Sequence, residues 1–225
     1  MQEQLLWRSI NLQQMKNLFK ILFAFTITVA TLASCMKDNT IDMDKLREEQ
    51  RIKDSIEKAR IDRIIEDQAP ALAAYAAENL PGATLIDSLG IWYTVLESGE
   101  ENSYTYSFGN NGYLIIPTVT VKYTGRLLNG TVFDKTEDDK PATFNVEGTI
   151  NAWQRAFFPK AIKINGIEYK IGGLTTNGLQ KGAKIRFVTS SPWAYDATER
   201  KDQQGQVTIP ANSPLDFTIE VVDIK

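Results

Sequence analysis

The sequence predicts an α+β fold: a charged N-terminal helix followed by one antiparallel β domain containing a single short helix. Three observations carry that expectation. Residues 39–68 hold no Gly or Pro, and the apolar residues Leu46, Ile52, Ile56, Ala59, Ile61, Ile64 and Ile65 lie largely three or four apart, the period of a helix face. Beyond Pro81-Gly82 the texture changes to short runs rich in Val, Ile, Thr, Tyr and Phe, divided by turn residues, as strands are. Among those runs only 149–157 reads as a helix. Many strands with one short helix make an α+β domain rather than alternating β/α units.

Taken in order, 39–68 is expected to form about seven helical turns. Asp42 or Asp44 would start it, and Glu49/Lys53 and Asp54/Lys58 would support it as i,i+4 pairs. Its apolar stripe is too thin to fold alone, so the helix either spaces the domain from an anchor or pairs with a second copy as a homodimer. Pro70 should interrupt it, leaving 71–79 as a short alanine-rich helix ending at Pro81-Gly82. Strands are expected over 91–96, 114–128 (broken only by Pro117 and Gly125), 143–146, 184–189 and 216–222, with 97–112 a polar, turn-rich connection. One hairpin can be derived in detail. Asn165-Gly166 is the strongest two-residue turn signal, pairing Ile164 with Ile167, Lys163 with Glu168 and Ile162 with Tyr169. Apolar side chains then share one face and an opposite-charge pair the other.

Composition excludes several kinds of chemistry. The chain carries 25 basic and 28 acidic residues, net charge −3, with no basic block from Cys35 onward, so a nucleic-acid partner has no electrostatic support. There is no histidine, which removes imidazole bases, histidine triads and the commonest zinc sites. Asp138 and Asp139 sit in a Lys/Pro-containing loop and read as a solvated turn. No metal and no cofactor is called for.

The N-terminus reads as an export signal. Lys16 and Lys20 precede the apolar stretch 21–33, which as a helix would rise about 20 Å, short of the roughly 30 Å hydrocarbon core. The tetrapeptide Leu32-Ala33-Ser34-Cys35 resembles the lipobox of bacterial lipoproteins, and Cys35 is the only cysteine. That resemblance implies cleavage before Cys35 and acylation of it. Two or more acyl chains, at about 0.8 kcal/mol per buried CH₂, hold a protein on a bilayer. The expected organisation is therefore 1–34 as signal peptide (with Met15 as a possible true start), 35–82 as lipid tether and helical extension, and 83–225 as the folded domain with a hairpin insertion at about 158–175. The expected location is the bacterial cell envelope, lipid-anchored at the outer membrane, on its periplasmic or surface face.

Val119-Thr120-Val121-Lys122-Tyr123-Thr124-Gly125, followed by Gly130 and Phe133-Asp134, resembles the signature of FKBP-type peptidyl-prolyl isomerases. The likeness continues through Pro141-Ala142-Thr143-Phe144, Gly148-Thr149-Ile150-Asn151-Ala152-Trp153, Leu179-Gln180-Lys181-Gly182, Ala194-Tyr195 and Leu215-Asp216-Phe217. It implies a twisted antiparallel sheet wrapped around the short helix, with an apolar cleft between them that accepts a proline ring. Carried over by the same motifs, Trp153 would floor that cleft and Tyr123, Phe133, Phe144, Ile150 and Phe217 would wall it. Asp134 would be a polar group at its edge, and Tyr195 would hydrogen-bond a substrate carbonyl.

The resemblance implies a lipid-anchored isomerase acting on proline-containing exported polypeptides. The alternative is a lipoprotein of the same fold that binds a protein or peptide partner without catalysis. Departures from the family pattern fall next to the cleft: Thr149 brings a hydroxyl to its edge, Asp196 replaces the glycine after Ala-Tyr, and Trp153 and Leu179 stand much further apart than in the family. The derived hairpin fills that gap, where it would shield, extend or close the cleft.

Overall fold

The structure is a computed structural model that describes residues 42–137 and 140–225. The expected export signal, Cys35 and the Asp138-Asp139 pair lie outside the described residues. The described residues divide into two units, one ending at Asp54 and the other covering Ser55–Lys225. No helix among the described residues is long and apolar enough to cross a membrane.

Helix α1 covers Met43–Asn79. Asp42 caps it, its Oδ1 accepting from the amides of Asp44 (3.1 Å) and Lys45 (3.0 Å). The side-chain pairs differ from those expected. Lys58 pairs with Asp62 rather than Asp54, Asp54 accepts from Gln50 at 2.7 Å, and Arg47–Asp44 and Arg51–Glu48 close at i,i+3.

The expected break at Pro70 does not occur, and the helix runs through it. Proline removes one donor and crowds the preceding turn, at about 3 kcal/mol in a helix interior. Two features offset that here. Glu66, whose carbonyl loses its partner, is exposed, so water can take the donor's place. Packing also grips the helix on both sides of the proline, with Ile65 buried before it and Leu72 and Ala76 after it.

Eleven strands follow among the described residues. β1 is Thr84–Ile86, β2 Ile91–Ser98, β3 Thr118–Leu127, β4 Val132–Lys135 and β5 Ala142–Asn145; β6 is Ala161–Ile164, β7 Ile167–Lys170, β8 Ala183–Thr189, β9 Arg200–Lys201, β10 Val207–Ile209 and β11 Leu215–Ile224. Seven of them make one sheet in the order β1-β2-β8-β11-β3-β4, with β5 also paired to β3. Every pairing is antiparallel. Gly125 does not break β3: it stays in the strand, opposite Asp134, and a bulge follows it.

Alternation sorts the side chains of the sheet. Val119 and Val121, Ile185 and Phe187, and Leu215, Phe217, Ile219 and Val221 bury one face around helix α2 (Asn151–Phe157), whose Ala152, Ala156 and Phe157 are fully buried. On the other face Val188 is buried as well, because Leu72 and Ala76 of α1 pack on it beside Trp92 and Leu128. Polar bonds fix the same docking. Tyr75 Oη donates to Asp216 at 2.9 Å, and Arg186 donates to the Asp216 carboxylate (2.8 and 3.1 Å) and to the Asn79 carbonyl (2.9 Å). Residues 71–79, expected as a separate short alanine-rich helix, are thus the last turns of α1 and part of the domain's packing.

The derived hairpin forms in the expected register, Ile164↔Ile167, Lys163↔Glu168 and Ile162↔Tyr169. Asn165 and Gly166 both have positive φ (52° and 81°), as a primed two-residue turn requires. Two short pairings had no clear sequence signal: β1 on the sheet edge, and the β9/β10 hairpin.

Candidate active site

Local bonds place the floor of the site. Asn145 accepts from the Glu147 amide at 3.0 Å and opens a 3₁₀ turn over Val146–Gly148. The Gln154 side chain donates back to the carbonyls of Glu147 (3.1 Å) and Thr149 (3.0 Å), tying that turn to the start of α2. Seven residues form too short a helix to persist alone. Burial of its apolar face and these bonds hold it, and with it the Trp153 indole.

Trp153 is the hub of an aromatic cluster. Ring centroids lie 5.2 Å away for Tyr123, 5.7 Å for Phe144 and 5.8 Å for Phe217, all edge-to-face. Phe133 meets Phe217 in the same way at 5.8 Å. Such contacts lock ring orientations, so the walls are set before anything binds. A cavity of about 250 Å³ opens among them, lined by Tyr123, Phe133, Asp134, Phe144, Ile150, Trp153, Tyr195 and Phe217 together with Gly148, Thr149 and Arg200. All eight residues expected from the motifs thus meet in one hollow. Ligand sites commonly run from about 300 to 1,000 Å³, so this one suits a single compact ring rather than a large ligand.

The polar groups stand at the rim. Tyr123 Oη donates to Asp134 Oδ2 at 2.6 Å. Burial and then the Asp134 carboxylate push the Tyr123 hydroxyl well above the usual phenol range. Burial also pushes Tyr195 up, with Arg200 opposing and Asp134 adding. Both tyrosines are therefore neutral donors at physiological pH. Among the described residues the Tyr195 hydroxyl has no protein partner, and neither does the Ile150 amide, whose own carbonyl is taken by Trp153 (2.9 Å) and Gln154 (3.2 Å).

The departures at 149 and 196 have local explanations. The Thr149 side chain lines the hollow, but its hydroxyl donates to the Val146 carbonyl at 2.7 Å and so is occupied. Asp196 has φ of 52°, a left-handed conformation that suits glycine and that Asp tolerates better than most residues. Its carboxylate accepts from Arg60 of α1 (2.6 and 3.1 Å), and its amide donates to Ser191 at 2.8 Å. The loop carrying Tyr195 is thereby fastened to the long helix. Gln68 adds a second tie, donating to Ser191 Oγ (2.8 Å) and accepting from the Ser191 amide (2.8 Å).

The inserted hairpin contributes nothing to the lining of this hollow. Ile162 is buried elsewhere and Tyr169 stacks on Phe108 with centroids 5.4 Å apart, so the insertion does not plug the cleft. Two residues escape the sequence reading. Arg200, on β9, lies over the Tyr195 ring at 5.1 Å; it stands in a polar loop with nothing to mark it. Gly125 has a steric role: a Cβ there would sit 2.5 Å from Phe133 Cζ and 3.1 Å from Phe217 Cε1. Its signal was visible, a glycine inside a strand marking a close approach.

Comparison with known proteins follows the same outline. Residues 116–222 match the family of FKBP-type peptidyl-prolyl cis-trans isomerases. A probable FKBP-type peptidyl-prolyl cis-trans isomerase of Haemophilus influenzae is 34% identical over 112 residues, covering 48% of this chain and 35% of that protein. The peptidyl-prolyl cis-trans isomerase Mip of Coxiella burnetii is 39% identical over 82 residues, 36% of this chain and 31% of its own. The outer membrane protein MIP of Legionella longbeachae is 32% identical over 138 residues, 56% of this chain and 55% of its own. The chain thus spans between about a third and a half of the length of these relatives. The matched segment, residues 116–222, includes all eight aromatic, apolar and acidic residues of the hollow, and over that segment the chain is similar to the FKBP-type peptidyl-prolyl cis-trans isomerases.

Proposed function

We propose that the chain is a lipid-anchored prolyl isomerase that binds X–Pro in the Trp153 cleft and assists the folding of exported polypeptides. The observation that carries the reading is the gathering of Tyr123, Phe133, Asp134, Phe144, Ile150, Trp153, Tyr195 and Phe217 around one open hollow. The chemistry suits a chain without histidine. Amide rotation crosses about 18–20 kcal/mol set by resonance, and no bond to a nucleophile or proton transfer to a base is needed. The twisted transition state has lost that resonance and is less polar than the planar amide. Aromatic walls around the ring therefore favour it over the ground state, which is differential binding in its simplest form. Tyr195 Oη and the Ile150 amide, both without protein partners, are the donors that hold flanking carbonyls while the imide bond turns.

Support for the anchor comes from the sequence around Cys35 and from the name of the Legionella relative, an outer membrane protein. The first part of α1 acts as a spacer rather than a dimer arm. Its exposed apolar residues are Met43, Leu46, Ile52 and Ile56; at 100° per residue Ile52 and Ile56, one turn apart, share a side, but Met43 and Leu46 fall on another, so they make no continuous seam.

A chromogenic X–Pro peptide assay on the full chain in detergent tests the activity. Acceleration over the thermal rate is expected, with kcat/KM reduced about five-fold by Tyr195→Phe, as for one lost hydrogen bond, and more by Trp153→Ala. No acceleration by the folded chain for any residue before proline would overturn the isomerase reading and leave peptide binding alone.

A further inference from the structure

A second cavity among the described residues is larger than the Trp153 hollow. It holds about 740 Å³ and lies between the end of β2 with the loop after it (Val95, Gly99, Tyr104) and the outer side of the inserted hairpin with the segment beyond it (Ala161, Lys163, Asn177).

Its walls are built rather than loose. Gln180 Oε1 accepts from Ser103 Oγ (3.2 Å) and the Tyr104 amide (2.9 Å), and Tyr106 Oη donates to the Leu179 carbonyl (2.9 Å). Tyr104 and Tyr106 meet edge-to-face at 4.8 Å. A Cβ at Gly178 would lie 2.4 Å from the Tyr106 ring, so this wall is closed to any other residue.

The hairpin supplies the second element. The Ile171 amide donates to the Lys160 carbonyl at 2.9 Å, which sets the parity of the ladder. Ile162 and Ile164 turn their backbone groups to the partner strand, as does the Lys160 carbonyl (its amide donates to the Thr175 carbonyl at 2.8 Å), so Ala161 and Lys163 turn theirs outward. Ala161, Ile162 and Lys163 line the cavity. Among the described residues the amides and carbonyls of Ala161 and Lys163 have no protein partner outside the hairpin. The Tyr104 hydroxyl likewise has none, and burial keeps it protonated. A free strand edge beside a partly apolar trough with a spare phenolic donor matches one ligand class, a polypeptide backbone.

Size agrees. An extended chain advances about 3.3 Å per residue in a cross-section of roughly 4.8 by 10 Å. The cavity therefore takes about four or five residues, and β6 has four. We propose that this cavity is a second polypeptide-binding site, in which an extended, proline-free segment of another chain lies as an added strand along the outer edge of β6. Proline has no amide to offer the ladder, so this site selects against the residue that the Trp153 cleft accepts, and it operates whether or not that cleft is catalytic.

The test is fluorescence anisotropy of a labelled, proline-free octapeptide of alternating Thr and Val, titrated with the full chain in detergent. Binding is expected. Lys163→Pro, which blocks the outer edge at a position not bonded across the hairpin, should weaken it about ten-fold or more, and Tyr104→Phe should weaken it less. Lys163→Thr should retain it and Trp153→Ala leave it unchanged. A readout free of variants is amide exchange, where peptide should slow Ala161 and Lys163 by about ten-fold. Absence of binding, unchanged exchange at both amides, or loss of binding in Trp153→Ala would overturn the proposal.

Discussion

Single atoms set the shape of the cleft. The missing Cβ of Gly125 lets the Phe133 ring lie against β3. Gly125→Ala should push that ring into the hollow, lowering stability by about 1–3 kcal/mol and kcat/KM for X–Pro peptides with it; equal values for the two proteins in chemical unfolding and turnover would show that the contact is slack. The titration behaviour is also a residue-scale matter. With no histidine and with Tyr123 and Tyr195 held protonated, activity should be flat between about pH 6 and pH 9. Stability should change at the alkaline end. Tyr75, Tyr104, Tyr106, Tyr123 and Tyr195 all have folded-state pKa values above the ordinary one. Above about pH 10 the unfolded chain gives up those protons while the native one keeps them, so their contribution is intact below that pH and declines as it rises. Thermal melts across pH 8–11 would read this as a falling Tm. The eight cleft residues were legible because they travel in motifs, whereas Arg200 was not, since its position over Tyr195 depends on how an unmarked polar loop folds back.

At the scale of elements, legibility followed how local the deciding forces are. The hairpin register could be derived because Asn165-Gly166 fixes the turn and the alternation fixes the faces. The continuity of α1 through Pro70 could not, because it depends on Leu72 and Ala76 meeting Val188, a partner more than a hundred residues away in sequence. Two substitutions separate these contributions. Pro70→Ala should restore a helix bond and raise stability by about 1–3 kcal/mol; a lower Tm would mean that the proline suits the local geometry. Leu72→Ala, at a fully buried site, should lower stability by about 2–5 kcal/mol. If α1 were only a rod in solvent, that change would do almost nothing.

For the whole molecule, one scaffold presents two dissimilar cavities: a small aromatic hollow against helix α2 and a larger trough beside the inserted hairpin. Helix α1 reaches the first of them indirectly, since Arg60 and Gln68 fasten the loop that carries Tyr195. Light scattering on the full chain in detergent should give the mass of one copy, in keeping with scattered apolar residues on the first part of α1; a stable dimer would reassign that segment as an interface. The most direct test of the central claim is exchange NMR on an X–Pro peptide, which needs no coupled protease. Substoichiometric full chain should produce cis–trans exchange peaks absent from the peptide alone, and Trp153→Ala should abolish them while its amide spectrum stays that of a folded protein. Exchange peaks that survive in Trp153→Ala, or that never appear with the unaltered chain, would contradict the account.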